Sequence, residues 1–215
     1  MSSRRYLTRE EIVLTWLQMS ISDFFFAFKI GGSFVRYGPF FNYMGFELIC
    51  KSYLLGCRAG EYEGLPIREA LRKVDKIAKN ELGHKLADVL VKIRQRKPDG
   101  KITQLLTKNF DGFSGSDFTK ILESVYLECR YPVPEPIYRQ FPIKGMKRMY
   151  SDPVYSSGLP KFCYATAREI LAYIRDDFSI KVPRIFLETL RPKTTYRRFR
   201  RLFFADQTKK LIGKK

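Results

Sequence analysis

Two long, mostly apolar segments, at residues 7–30 and 37–55, lie on either side of the glycine pair Gly31-Gly32. Neither segment alternates apolar and polar side chains as a half-buried strand does, and both are much longer than an ordinary strand. Glycine commonly ends a helix because it adopts the left-handed conformation of a C-terminal cap at little cost. The sequence therefore predicts two long, largely buried helices at these positions.

The first segment approaches the length of a membrane span. Residues 12–30 include Trp16 and three consecutive phenylalanines. They also include Gln18, Asp23 and Lys29, and an ionised Asp near the centre of a bilayer costs about 3 kcal/mol on insertion scales. We therefore expect a core helix here rather than an integral membrane span.

The rest of the chain carries further helix signals. Thr8 suits an N-terminal cap, as does Ser116-Asp117, while Pro66 suits a first turn and Gly83 suits a helix end. No segment shows the alternation of a strand, so the predicted fold class is all-α, an antiparallel helical bundle. The spacing of apolar residues predicts its remaining helices at residues 66–82, 84–94, 116–129 and 162–178.

The remaining segments are expected to be irregular. Residues 97–100 predict a turn, and the loop after it contains Asn109 and Gly112. Residues 132–160 contain six prolines and two glycines, so they are expected to form a long Pro-rich insertion, which in a compact domain is usually functional or mobile. The predicted organisation is a helical domain at 1–180 followed by an extension at 181–215.

The net charge of +18 is concentrated in this C-terminal extension, which holds twelve Lys or Arg residues and two acidic residues. Such a segment attracts nucleic acid, an anionic membrane surface or an acidic protein partner, although it could also serve only as a solubilising tail. Residues 194–212 have the pattern of a basic amphipathic helix. Its basic side chains predicted to contact backbone phosphates are Arg197, Arg198, Arg200 and Arg201.

The Pro-rich insertion also mixes basic and aromatic residues. Lys144, Lys147 and Arg148 lie among Phe141 and Tyr150. Cations that bind the backbone and rings that stack on bases together are typical of a single-stranded nucleic-acid contact. The alternative interpretation is that the aromatic rings anchor the insertion to the core.

The four cysteines and one histidine argue against a metal centre or a disulfide framework. Cys50, Cys57, Cys129 and Cys163 form no C-x-x-C pair, so no zinc site and no bound metal is expected. The chain also lacks a phosphate-binding P-loop, a dinucleotide G-x-G-x-x-G and a G-x-S-x-G nucleophile. We therefore expect no cofactor. We also expect the cysteines to be reduced thiols, as in a cytoplasmic protein.

Three short motifs occur in order along the chain. They are an E-L-x-x-K-x-x-L stretch with Glu47 and Lys51, a G-H-x-L element with His84, and an R-Y-P ending with Arg130. Over roughly residues 7–178 this order and spacing resemble the HEPN family, whose name denotes nucleotide binding in higher eukaryotes and prokaryotes. The resemblance implies binding of RNA or nucleotides, frequent homodimerisation, and a cytoplasmic role in prokaryotic defence or stress systems such as toxin–antitoxin pairs.

The resemblance does not extend to the nuclease motif of that family, R-x4-6-H. The positions that would hold its Arg before His84 are residues 77–79, which are Ile, Ala and Lys. Binding without the family's RNA cleavage is therefore the leading expectation. The alternatives are a metal-independent ribonuclease with a non-standard catalytic site around His84, and a protein-interaction or dimerisation scaffold.

Glu47 and Lys51 also share one helix face by their spacing alone. In so apolar a helix their ion pair is expected to be partly buried, and a buried pair needs further hydrogen-bond partners. His84 and Arg130 are the residues expected to complete it. The four together predict either a pocket for a phosphate or nucleotide, or a polar network that fixes the register of the helices.

Overall fold

The computed structural model describes residues 6–30, 37–130 and 157–190, and these are mostly helical, as the all-α prediction requires. A short 3-10 turn, Ala59–Glu61, follows the second helix, and a π-helical turn, Ile77–Glu81, follows the third. Two residue pairs, β1 (Asn109–Phe110) and β2 (Phe113–Ser114), form a small antiparallel hairpin. The helices are α1 (Arg9–Ile30), α2 (Tyr37–Cys57), α3 (Ile67–Lys76), α4 (Leu86–Arg96), α5 (Ile102–Thr107), α6 (Gly115–Arg130), α7 (Gly158–Phe178) and α8 (Arg184–Thr189).

Helices α1 and α2 form the most extensive helix–helix contact. The Ser20 hydroxyl donates a 2.6 Å hydrogen bond to the carbonyl oxygen of Gly45, and both residues are buried. A Cβ on Gly45 would lie 2.9 Å from the Ser20 carbonyl oxygen, so the small residue permits the close approach. At the start of α1, Thr8 and Glu11 cap each other's backbone N–H groups at 3.2 and 3.1 Å, which confirms the predicted cap.

Helix α1 is the one described helix that is long and apolar enough to cross a membrane, from Arg9 to Phe28. This is weak evidence for a span, because core helices pass the same test. Its residues Val13, Leu17, Ile21 and Phe24 are buried in the common core. Burial raises the pKa of Asp23, on the same helix, to about 6.

Helix α2 lies at the centre of the fold. It contacts α1, α4, α6 and α7, and every residue from 45 to 56 is buried. Helix α7 packs on α2 and contributes four buried residues to the core, Phe162, Ala167, Ile170 and Ile174. A polar side chain on α2 therefore meets protein rather than water, and this determines the geometry of the candidate site.

Between α4 and α6 the structure differs from the sequence prediction. Helix α5 and the hairpin occupy a stretch that was predicted to be an irregular loop. Asp111 and Gly112 both have positive φ, 56° and 99°, as in the two-residue turns that join hairpin strands. Ser114 and Asp117 cap the start of α6, because each side chain accepts from the backbone N–H of the other at 3.1 and 3.0 Å. The prediction of Ser116-Asp117 is therefore confirmed for Asp117, while the hydroxyl of the cap comes from Ser114 and not from Ser116.

Two other predicted boundaries also differ from those in the structure. Helix α7 begins at Gly158, with Pro160 in its first turn, so the irregular insertion predicted for 132–160 cannot continue to its predicted end. Ile185, Phe186 and Leu190 belong to the core, so the packed domain extends beyond the predicted boundary at residue 180. The predictions for residues 131–156 and 191–215 lie outside the described residues.

The end of α7 packs on α2 through the ring of Phe178, which stacks on Tyr53 at a centroid distance of 5.6 Å. A Cβ at Gly56 would overlap that ring, whereas a Cβ at Gly60 meets nothing. We expect Gly56→Ala to lower the free energy of unfolding by about 1–3 kcal/mol, because overpacking outweighs the gain in helix propensity. Gly60→Ala should change it by less than about 0.5 kcal/mol. Urea unfolding at 25 °C measures both, and equal midpoints for the two variants would contradict this packing.

Candidate functional site

The site is built on an ion pair in the middle of α2. Lys51 Nζ lies 2.6 Å from Glu47 Oε1, and the two side chains are only 3% and 4% exposed. The i, i+4 spacing brings the groups together within one helix, and the surrounding helices remove both from water. Such a pair is costly to desolvate, so its charges depend on each other and on further hydrogen bonds.

His84 supplies one of those hydrogen bonds. Gly83, with a φ of 71°, redirects the chain after the π-helical turn. The Nδ1–H of His84 then donates to Glu47 Oε1 at 2.9 Å, while the side chain of His84 remains 50% exposed. The Tyr43 hydroxyl donates to the His84 carbonyl oxygen. His84 is therefore fixed by both its ring and its backbone at the surface of the site.

Tyr126 packs against the imidazole, and Tyr43 packs against Tyr126. The ring of Tyr126, from α6, stacks on the His84 ring at 6.1 Å with an interplanar angle of 17°, and on Tyr43 at 4.5 Å. Tyr126 is buried, whereas half of the His84 side chain remains exposed. The site thus presents an ordered, half-exposed aromatic ring backed by a buried carboxylate.

Other groups near Glu47 are held neutral. Burial, reinforced by the carboxylate of Glu47, raises the pKa of the Tyr43 phenol. The same causes raise the pKa of the fully buried Cys50 thiol well above its ordinary value. Neither a phenolate nor a thiolate is therefore available as a nucleophile at neutral pH.

The N-terminus of α4, next to His84, is already occupied. The backbone N–H of Ala87 donates to Glu123 Oε1 at 2.8 Å. A carboxylate at this position satisfies the helix dipole in the place where a phosphate would otherwise bind. The Ala87 N–H is therefore not free to bind a phosphate.

The structure brings together three of the four predicted pocket residues, Glu47, Lys51 and His84. Arg130 ends α6, and its side chain lies outside the described residues. The seven cations predicted to contact backbone phosphates also lie outside them: Lys144, Lys147, Arg148, Arg197, Arg198, Arg200 and Arg201.

Sequence reasoning missed both tyrosines of the site. Tyr43 had a detectable signal, because it lies four residues before Glu47 and eight before Lys51, on the same face of α2. Tyr126 had a similar signal, because it lies four residues before the predicted pocket residue Arg130 on the same helix.

The arrangement supports two kinds of chemistry. With Nδ1–H committed to Glu47, a neutral His84 keeps its Nε2 lone pair directed away from the carboxylate, where it can accept a proton or a hydrogen bond. When protonated, the same ring attracts a phosphate and offers a face for stacking. Among residues 6–30, 37–130 and 157–190, no group of His, Cys, Asp or Glu is arranged to hold a metal ion.

No protein-family model, curated protein or solved structure matches this chain. Its function is therefore inferred from the chemistry of its own residues.

The buried pair predicts a large effect from a single neutral substitution. Glu47→Gln leaves the Lys51 ammonium buried without a counter-charge, so we expect a loss of about 3–5 kcal/mol in the free energy of unfolding. The double variant Glu47→Leu with Lys51→Met removes both charges and should recover most of that loss. Chemical denaturation at pH 7 measures both.

A surface pair with the same spacing provides the control. Asp75 and Lys79 lie 2.8 Å apart but are 59% and 65% exposed, so Asp75→Asn should cost no more than about 0.5 kcal/mol. If Glu47→Gln cost as little as this control, the pair would not be desolvated in solution.

Proposed function

We propose that this chain is an RNA- or nucleotide-binding protein and that its ligand stacks on the exposed face of His84. One observation carries the proposal: the imidazole is held by a buried carboxylate and stacked on Tyr126, yet it stays half-exposed. An ordered aromatic ring that remains half-exposed is suited to receive a nucleobase.

The buried groups beneath His84 explain why the ring can act as a platform. Its orientation is set before a ligand arrives, because Glu47 holds the ring and Tyr43 holds the backbone. Preorganisation lowers the entropic cost of binding. Stacking of a base on an aromatic side chain contributes about 1–3 kcal/mol and tolerates any base.

The charge of the chain suits a polyanionic ligand. A net charge of +18 steers nucleic acid toward the protein. We propose that the basic residues of the insertion and of the C-terminal extension contact backbone phosphates, while His84 contacts a base. The cations would then supply most of the affinity and the orientation of the strand, and the ring would add stacking on one base.

The resemblance to the HEPN family supports the same proposal, because the residues that carry it, Glu47, Lys51 and His84, meet in one cluster. On this basis we propose an antiparallel helical bundle with a Pro-rich insertion and a basic extension. We further propose a cytoplasmic homodimer in a prokaryotic defence or stress system. The missing R-x4-6-H motif favours binding over cleavage.

A second candidate function is metal-independent cleavage of RNA. The observation that favours it is the Glu47–His84 dyad itself. A buried carboxylate that orients a histidine through Nδ1 leaves Nε2 as a general base, which could accept the proton of a ribose 2′-hydroxyl. This candidate places catalysis at His84, outside the standard nuclease motif.

The binding proposal is tested by titrating labelled single-stranded RNA at several salt concentrations. Affinity should fall linearly on logarithmic axes, with a slope of about −0.7 per phosphate contacted. His84→Ala should lower affinity by about tenfold because the stacking face is lost. Tyr6→Ala, which removes another half-exposed aromatic ring, is the control and should change affinity little. No salt-dependent binding would contradict the proposal and favour a protein-interaction scaffold.

The cleavage candidate is tested by running the same RNA samples on a denaturing gel. If the chain cleaves RNA, His84→Ala should slow cleavage at least about a hundredfold, the usual contribution of a general base. Cleavage at an unchanged rate in His84→Ala would exclude the dyad as the catalyst. RNA that stays intact with the unaltered chain would leave binding as the function.

A further inference from the structure

A groove with a volume of about 290 Å³ lies along the outer face of the C-terminal half of α7, the segment after it, and α8. None of its lining residues belongs to the His84 site. Its apolar floor is formed by Leu171, Ala172, Ile180, Val182 and Leu187. Leu187 is 42% exposed, so part of this apolar floor is open to solvent.

Three cations surround this apolar floor. Arg168 and Arg175 lie on one face of α7, seven residues and therefore about 10 Å apart. Lys181 adds a third cation from the segment between α7 and α8. Arg175 also pairs with Asp176 at 2.8 Å, but its side chain remains 67% exposed. No carboxylate belongs to the residues that line the groove in the described part of the chain.

These properties narrow the class of ligand. No aromatic ring lines the groove, so it lacks the stacking surface of a single-stranded nucleic-acid site. Its volume lies at the lower limit of pockets for drug-sized molecules, so it suits a few side chains. A second copy of a chain with net charge +18 would bring more positive charge to a cationic rim.

We propose that this groove binds an acidic, amphipathic peptide segment of a partner protein. Its apolar side chains would lie on the floor, and its carboxylates would pair with Arg168 and Arg175. A separation of about 10 Å corresponds to two turns of a helix or three residues of an extended strand. The proposed partner segment therefore carries two carboxylates about 10 Å apart, with one or two aliphatic residues between them.

The test uses the full-length chain and a fluorescein-labelled helical peptide with glutamates seven residues apart and leucines between them on the same face. A scrambled peptide of the same composition is the sequence control. Fluorescence anisotropy measures the affinity of each peptide. The buffer contains about 0.15 M salt, because screening at that ionic strength limits long-range attraction between charges to about 8 Å. We expect the patterned peptide to bind at least about tenfold more tightly than the scrambled one.

Variants locate the binding. The double variant Arg168→Glu with Arg175→Glu should weaken binding of the patterned peptide by at least about tenfold. Arg68→Glu with Arg72→Glu changes the net charge equally at exposed positions on α3 and should change affinity less than about twofold. Leu187→Asp should also weaken binding, whereas Leu71→Asp, at a similarly exposed leucine on α3, should not.

Three results would overturn the proposal. Equal binding of patterned and scrambled peptides would show attraction by charge alone. Equal effects of the α7 and α3 charge reversals would place the peptide elsewhere. A loss of RNA affinity in the α7 double variant as large as its loss of peptide affinity would make the groove a general polyanion surface. The RNA proposal at His84 is judged separately by His84→Ala.

Discussion

The fold is organised around the charged pair Glu47–Lys51, placed inside the most buried helix of the protein. An ion pair of this kind gains little over well-packed apolar residues, because desolvation offsets much of its Coulomb energy. The pair instead restricts how α2 can pack against the neighbouring helices. The α2 helix must keep the rotation that brings both Glu47 and Tyr43 to His84, or the carboxylate loses its hydrogen bond to the imidazole. The packing of α1, α4, α6 and α7 around α2 must respect that rotation.

This constraint connects the core to the surface. Glu47 is buried with Lys51 on one side, and its same oxygen accepts from His84, whose ring reaches solvent. The buried carboxylate of Glu47 therefore fixes the orientation of an imidazole that is half-exposed at the surface. A polar network that served only to set helix register would not require an exposed member. We therefore propose His84, supported by Tyr126, as the residue of the cluster that contacts a ligand.

How far the sequence predicted the fold depended on the range of the interactions. Helix α1 was predicted at 7–30 and is Arg9–Ile30, and α2 was predicted at 37–55 and is Tyr37–Cys57, because long apolar segments and local caps define them. Helix α5 and the hairpin were missed, although Asp111-Gly112 is a hairpin signal. The start of α7 was misplaced because residues 158–160 were included in the Pro-rich insertion, whereas a first turn accepts proline.

The sequence by itself determined the all-α character, the long apolar helices and the pairing of Glu47 with Lys51, since each follows from residues within a few positions of one another. Tertiary structure decided that His84, 37 residues from Glu47, shares its carboxylate, and that Tyr126 of another helix supports the ring. It also decided that Arg168 and Arg175 border an apolar groove. The physical reason is that hydrogen bonding, stacking and burial between distant segments depend on how helices pack, and no local pattern of residues encodes that packing.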